Sequence, residues 1–315
     1  MDSMVGMRAP RNLLLRCALA CSLVSGAVAG SAPASGAPGP STIRKYVAMG
    51  DSYAASAGQL PTSLAGNGLA CSRSQHDYPA VVANGLGLVA GSSFVDVSCS
   101  GAATGGILRE QTNAGIGQTE PPQIDSVTPD TDLVTVTIGG NDGSKGGFFL
   151  NAILVCNGLG AFYPLGSPCQ NRGGQQSEVL TGEGVANLAS QVQSAVAQIA
   201  AAVRQRSPNA KILVVGYPKI FPHGARCVQS AALTNGDLVW LDQIVRRLNA
   251  ALQSGAAGGG AQYVDVYAAS EGHDMCSSQA WVAGALPAPG AAQPWHPVAA
   301  GTQGVGETVL AALGR

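Results

Sequence analysis

Residues 44–53 read Arg-Lys-Tyr-Val-Ala-Met-Gly-Asp-Ser-Tyr, an apolar run that ends in a glycine and is followed by an acidic residue and a serine. A short run of this kind predicts a β-strand that ends in a tight turn. Similar runs over 94–97, 133–138, 211–215 and 263–266 predict four more strands. The serine, Ser52, follows the first strand, and ligand crevices in open α/β sheets form where strands end in this way.

Helical patterns separate the predicted strands. Apolar residues recur three or four positions apart over 185–203 and 238–252, which is the spacing of one helix face. Residues 298–313 predict a closing helix, and the glycine-rich stretch 254–260 predicts a loop between helix and strand. Strands that alternate with helices favour an α/β fold, in which helices cover both faces of a parallel sheet.

The composition narrows the possible functions. Of the 315 residues, 46% are hydrophobic and 11% are charged, and the formal net charge is −1. So many apolar residues exclude a disordered chain and a coiled coil. Because a protein that binds nucleic acid neutralises many phosphates with a clustered basic surface, we expect no nucleic-acid partner. We expect the folded chain to be a monomer.

The N-terminal region indicates export. Three arginines precede an apolar run over 17–29 that is too short to span a bilayer and ends in small residues. We interpret 1–29 as a signal peptide, 30–41 as a flexible segment rich in Gly, Ala, Ser and Pro, and 42–315 as a single domain. A lipid anchor on Cys21 is the alternative. We expect a secreted, extracellular protein without a transmembrane segment.

Six cysteines remain once the signal peptide is removed. An even number favours disulfides in an oxidising compartment. Zinc binding is the alternative, but no C-x-x-C or H-x-x-H pair occurs, and zinc knuckles need ligands that close together. We therefore expect disulfides and no metal. The six are Cys71, Cys99, Cys156, Cys169, Cys227 and Cys276.

The region 143–177 departs from the strand and helix alternation. It holds many aromatic and aliphatic residues and two cysteines without the pattern of a simple helix. We interpret it as a functional insertion that contributes to substrate binding. The alternative is an extra packing layer held by Cys156 and Cys169.

Two further strand ends carry groups suited to acyl transfer. Residues 98–102 follow the second strand and 138–142 follow the third. These two stretches would supply two hydrogen-bond donors to an oxyanion, the Gly101 N–H and the Asn141 side-chain amide. The Ser52 N–H would be the third donor. Nucleotide binding is the alternative, but no G-x-G-x-x-G or Walker A run occurs, and an aspartate stands where a phosphate would lie.

A histidine, His296, precedes the closing helix and completes a series. In chain order the blocks Gly-Asp-Ser-Tyr (50–53), Gly101, Gly-Gly-Asn-Asp (139–142) and His296 resemble those of the SGNH hydrolases, the GDSL-type esterases and lipases. Within that family the resemblance is to secreted actinobacterial members, and it covers 46–304. It implies a flavodoxin-like three-layer α/β/α sandwich with a five-stranded parallel sheet, and cysteines paired sequentially.

The resemblance also implies roles for these residues. Ser52 would be the nucleophile and His296 the general base, and Ser52, Gly101 and Asn141 would form the oxyanion hole, without any cofactor. His273, beside Asp274, is the alternative base. We favour His296 because it lies before the last helix, as in the family.

One position departs from the family pattern. Relatives often carry an aspartate three residues before the histidine, where this chain has Gln293. We predict a Ser-His dyad in which the backbone carbonyl of Gln293 accepts the Nδ1 proton of His296. A distant acid such as Asp274 is the alternative.

These features predict a carboxylic-ester hydrolase of the triacylglycerol lipase or esterase type. Its only expected partner is an ester or lipid substrate, and phospholipids are among the candidates. A carbohydrate acetylesterase is one alternative, which would need a shallow polar groove. A non-catalytic surface binding module on the same fold is the other.

Overall fold

The computed structural model describes residues 42–112, 118–143, 147–223 and 225–315. The predicted signal peptide 1–29 and flexible segment 30–41 lie outside the described residues.

A parallel sheet of five strands forms the centre of the fold. Its order is β2-β1-β5-β6-β7, and all four neighbouring pairs are parallel. Counting only these five strands along the chain, the order is 2-1-3-4-5, that of flavodoxin. The predicted α/β fold is confirmed. The strands are β1 (Tyr46–Gly50), β2 (Phe94–Asp96), β3 (Gln111–Thr112), β4 (Thr119–Glu120), β5 (Leu133–Thr137), β6 (Lys211–Val215) and β7 (Gln262–Val264), of which β3 and β4 form a separate antiparallel pair.

Helices cover both faces of this sheet. None of those described is long and apolar enough to cross a membrane. They are α1 (Ser52–Ala55), α2 (Tyr78–Gly85), α3 (Thr104–Leu108), α4 (Phe148–Phe162), α5 (Pro168–Gln176), α6 (Gly182–Arg206), α7 (Asn235–Gly258), α8 (Val266–Ala269) and α9 (Ala299–Ala312).

The central strand β1 is buried on both sides. Side chains alternate between the two faces of a strand. Val47 and Met49 belong to the apolar cluster that includes α6 and α7, whereas Tyr46 and Ala48 belong to the cluster that includes α2 and α9. A strand that is covered on both faces has a continuous apolar sequence, and this is why β1 could be predicted.

The two long helices α6 and α7 confirm the predicted helical patterns. Each begins at a threonine whose side-chain oxygen accepts a backbone N–H, Thr181 from Gly184 at 2.8 Å and Thr234 from Asp237 at 3.1 Å. Such caps satisfy amide groups that the helix itself leaves unpaired.

The predicted loop over 254–260 is wrong, because α7 continues to Gly258. Its glycines serve close packing against α6. A Cβ on Gly255 would lie 2.6 Å from the Gln193 carbonyl oxygen, and one on Gly259 would lie 2.6 Å from the Ala200 Cβ.

The region 143–177 contains two helices, α4 and α5, joined by the Cys156–Cys169 disulfide. Helix α4 is apolar on more than one side. Phe148 and Ile153 are buried, whereas 48% of Leu150 and 54% of Leu154 are exposed. An apolar pattern on several faces hides the helical period, so this helix was not visible in the sequence.

The six cysteines among the described residues all lie in disulfides. The pairs are Cys71–Cys99, Cys156–Cys169 and Cys227–Cys276. This is the sequential pairing that the family resemblance implies.

Candidate active site

The candidate active site lies at the carboxyl ends of β1 and β5, which are neighbours in the sheet. The chain leaves β1 toward one side of the sheet and β5 toward the other, and a crevice opens at such a switch point. The four predicted residues Ser52, Gly101, Asn141 and His296 line one groove here, with a volume of about 730 Å³. We call this the catalytic groove.

A tight turn after β1 presents Ser52. Gly50 has a φ of +147°, and a Cβ there would lie 2.4 Å from the Thr137 carbonyl oxygen, so no larger residue fits. Asp51 caps the following helix and accepts the Tyr53 N–H at 2.8 Å. Ser52 is the first residue of α1, where a backbone N–H has no partner within the helix. That N–H is suited to bind a ligand oxygen.

The Ser52 hydroxyl contacts the His296 ring. His296 Nε2 lies 2.8 Å from Ser52 Oγ, and His296 Nδ1 lies 2.8 Å from the Pro294 carbonyl oxygen. Because a carbonyl oxygen only accepts, the Nδ1 atom must carry the proton. The Nε2 atom is then free to accept one from the serine.

The prediction that the Gln293 carbonyl orients the ring is wrong, since Pro294 supplies the carbonyl. Gln293–His296 form a turn in which the His296 N–H donates to the Gln293 carbonyl at 3.2 Å. Proline at the second position and a φ of +58° at Trp295 are typical of a type II turn. The Gln293 oxygen closes this turn, and the Pro294 oxygen is left to accept from the ring.

The environment of His296 keeps it neutral. Burial lowers the pKa of His296 below its ordinary value, and the hydrogen bond to the Pro294 carbonyl opposes part of this shift. A base with a lowered pKa stays unprotonated to lower pH. The imidazole can therefore accept a proton at neutral pH.

Hydrogen bonds join the loops that carry Gly101 and Asn141, the two other residues predicted to form an oxyanion hole. Asn141 Nδ2 donates to the Ala102 carbonyl at 3.0 Å. The next residue, Asp142, accepts from Thr104 N–H at 2.9 Å and from its hydroxyl at 2.6 Å. Gly101 has a φ of +81°, with open space where a Cβ would lie, so its conformation favours glycine.

The sequence analysis missed Tyr217. Its buried hydroxyl donates to Asp51 and accepts the Gly140 N–H at 2.8 Å, so it ties the serine turn to the Asn141 loop. Burial raises the pKa of Asp51 to about 7, although its hydrogen bonds to Tyr217 and Tyr53 lower it. The only available signal was Gly-Tyr-Pro at the carboxyl end of β6.

The alternative base and acid lie elsewhere. His273 Nδ1 is 2.7 Å from the Gln279 carbonyl oxygen, and its ring stacks on Trp281. Asp274 accepts the Cys276 N–H at 2.9 Å. Within the described part of the chain, no carboxylate forms a hydrogen bond or ion pair with His296.

A second, apolar pocket opens beside the serine. Phe149, Leu150 and Ile153 of α4, with Trp295, line it together with Ser52. We call this the apolar pocket. Helix α4 therefore contributes side chains to the pocket that Ser52 lines.

A doubly wound sheet with a serine, a glycine, an asparagine and a histidine on one groove defines the SGNH hydrolase class. The chain belongs to the GDSL-like lipase/acylhydrolase family, whose model matches residues 48–303, and it is a carboxylic-ester hydrolase.

Known proteins of Streptomyces resemble the chain along most of its length. It is 36% identical to Lipase 2 of Streptomyces coelicolor over 91% of this chain and 90% of the relative. Phospholipase A1 of Streptomyces albidoflavus has a TM-score of 0.65 at 28% identity, covering 86% of this chain and 99% of that one. The extracellular lipase of Streptomyces rimosus has a TM-score of 0.65 at 26% identity, and the match covers 85% of this chain and 99% of that lipase.

Proposed function

We propose that this protein is a secreted lipase or esterase that forms an acyl-enzyme on Ser52, with His296 as its base. The observation that carries the proposal is the 2.8 Å contact between His296 Nε2 and Ser52 Oγ. A serine hydroxyl becomes an effective nucleophile when a neighbouring imidazole takes its proton. The same contact is within hydrogen-bond reach for that transfer.

The reaction proceeds in two halves. Ser52 Oγ attacks the ester carbonyl carbon while its proton moves to His296 Nε2. The imidazolium then gives this proton to the leaving alcohol oxygen as the ester C–O bond breaks. In the second half a water molecule, deprotonated by His296, attacks the acyl-enzyme, and the proton returns to Ser52 Oγ as the acid leaves.

The Pro294 carbonyl replaces the carboxylate of a Ser-His-Asp triad. Its hydrogen bond fixes the tautomer and the orientation of the His296 ring. The Ser52 N–H, the Gly101 N–H and the Asn141 amide are the donors that we assign to the oxyanion. Such donors act on the charge that develops at the transition state.

The apolar pocket favours an acyl chain over a carbohydrate acetate. Its walls are Phe149, Leu150, Ile153 and Trp295, and an apolar lining beside a few polar groups suits the acyl part of a lipid ester. Phospholipids are included among the substrates, as the name of the Streptomyces albidoflavus relative suggests.

Export to the cell exterior is part of this proposal. The features that support it are the signal-like residues 1–29 and the three disulfides, which persist in oxidising compartments. The Streptomyces rimosus relative is described as extracellular. We also propose that 42–315 is one domain and acts as a monomer.

A series of nitrophenyl esters tests the function. We expect turnover of esters from acetate to palmitate, with kcat/KM higher for longer chains than for acetate because the apolar pocket binds them. Acetylated xylan is the matched polar substrate. Turnover of acetyl groups alone would favour the carbohydrate acetylesterase, and no turnover of any ester would favour a non-catalytic binding module.

The dyad predicts that two substitutions have little effect on catalysis. Gln293→Ala should keep kcat within about threefold of wild type, because the backbone carbonyl that closes the turn survives. Asp274→Asn should do the same, because its carboxylate contacts the Cys276 N–H and not the ring. Steady-state kinetics with nitrophenyl butyrate measure both.

A loss of about 1,000-fold or more in Asp274→Asn, comparable to removing the acid of a triad, would overturn the dyad. Circular dichroism must show that the variant is folded for this comparison to hold.

A further inference from the structure

The catalytic groove extends beyond the apolar pocket into a polar arm. The groove shares Leu150 and Trp295 with the apolar pocket. The same groove is also lined by Ser72, Ser100 and the residues from Arg109 to Thr112, and these lining residues make up the polar arm. An ester bound at Ser52 thus has both the apolar residues of the pocket and the polar residues of the groove available for contact.

Arg109 is the cationic residue of the polar arm. It follows α3 directly, and its side chain lies over the backbone of Gly105, where a Cβ would be 3.1 Å from Arg109 Nη2. Gly105 also lines the groove. The exposed Arg109 guanidinium forms no hydrogen bond or ion pair with any described residue. Its donors are therefore available to a ligand in the groove.

We propose that Arg109 binds the phosphate of a glycerophospholipid while its acyl ester is cleaved at Ser52. This rests on the proposed ester hydrolysis at Ser52 and assigns the headgroup side of the substrate. The planar guanidinium offers paired N–H donors that match two phosphate oxygens. The acyl chain that is cleaved occupies the apolar pocket, and the leaving alcohol is the lysophospholipid that keeps the phosphate.

The chemistry at the phosphate does not change during the reaction. The ester C–O bond breaks, the carbonyl carbon bonds to Ser52 Oγ, and His296 protonates the glycerol oxygen. Arg109 binds the phosphate before and after these steps. Its effect is on which ester is selected and not on the reacting atoms.

Glu110 indicates which headgroup fits. It lines the same polar arm and forms no ion pair with Arg109. A carboxylate repels a headgroup of net negative charge and attracts an ammonium group. The pair of opposite charges therefore matches a zwitterionic headgroup, such as phosphocholine.

Two esters with the same acyl chains test the proposal. Dihexanoylphosphatidylcholine and dihexanoylglycerol are both used at monomeric concentrations, so that no lipid surface forms. In Arg109→Gln we expect the ratio of kcat/KM for the phosphate ester to kcat/KM for the neutral ester to fall about 10- to 100-fold, as for the loss of a hydrogen-bonded charge. Arg109→Lys keeps the positive charge but not the paired N–H donors of the guanidinium, so we expect the same ratio to fall about 3- to 10-fold.

The matched control is Arg247→Gln, which removes an exposed arginine from α7. Arg247 lines cavities that share no residue with the catalytic groove, so the ratio should stay unchanged. An unchanged ratio in Arg109→Gln, with both esters hydrolysed by the wild type, overturns the role of Arg109 and leaves the proposed function intact. Hydrolysis of neither ester by the wild type overturns both.

Discussion

Replacing Ser52 by alanine is expected to lower kcat for every ester by about 10⁶-fold, as for other serine hydrolases that lose their nucleophile. The hydroxyl oxygen is the atom that we propose attacks the carbonyl carbon. Its only hydrogen bond among the described residues is with His296 Nε2. The change should therefore leave the fold intact, which circular dichroism and thermal unfolding would show.

The matched control is Ser56→Ala, at the end of the short helix α1 that begins at Ser52. Ser56 is fully buried, four residues after Ser52, and its hydroxyl has no hydrogen-bond partner among the residues that the structure describes. Alanine there should leave kcat close to the wild-type value. If Ser52→Ala kept more than about a tenth of the wild-type activity, Ser52 would not be the nucleophile.

Replacing His296 by alanine is the second change with a very large expected effect. Without the imidazole, none of the described residues forms a hydrogen bond with the Ser52 hydroxyl, so the serine loses its base and the leaving alcohol loses its acid. We expect kcat/KM to fall by about 10⁴-fold or more. Added imidazole should restore part of the activity, because the lost side chain lined an open groove.

His273→Ala separates this assignment from the alternative base. Its ring bonds to the Gln279 carbonyl and stacks on Trp281, so we expect unchanged kcat and a lower melting temperature. If His273→Ala were folded but inactive and His296→Ala remained active, the assignment of His296 as the base would be wrong.

The fold could be predicted from the sequence because its strands are buried on both faces and its long helices have one apolar face. The apolar run of β1 from Tyr46 to Gly50 and the apolar spacing of helix α6 are each visible in a short stretch of sequence. The end of α7 could not be predicted, because Gly255 and Gly259 read as loop residues. Only the packing of α6 against them explains their size.

The site was predicted to the level of residues that follow strands and carry reactive groups. Ser52 and Asn141 are of this kind, whereas His296 was predicted from its place before the last helix, and the structure brings all three to one groove. The carbonyl that orients the histidine depends on the turn type at Pro294, and every residue of that turn has a carbonyl. Tyr217 has no motif around it, and its role follows from contacts with Asp51 and Gly140, which are far away along the chain.

Covalent trapping tests the central claim, that Ser52 is a nucleophile activated by His296. The protein is incubated with an alkyl fluorophosphonate and digested, and the adduct is located by peptide mass spectrometry. We predict one adduct per chain, on Ser52, with activity lost in proportion to labelling, and no adduct in Ser52→Ala. Complete inactivation with the adduct on another residue, or full activity with Ser52 labelled, would contradict the account.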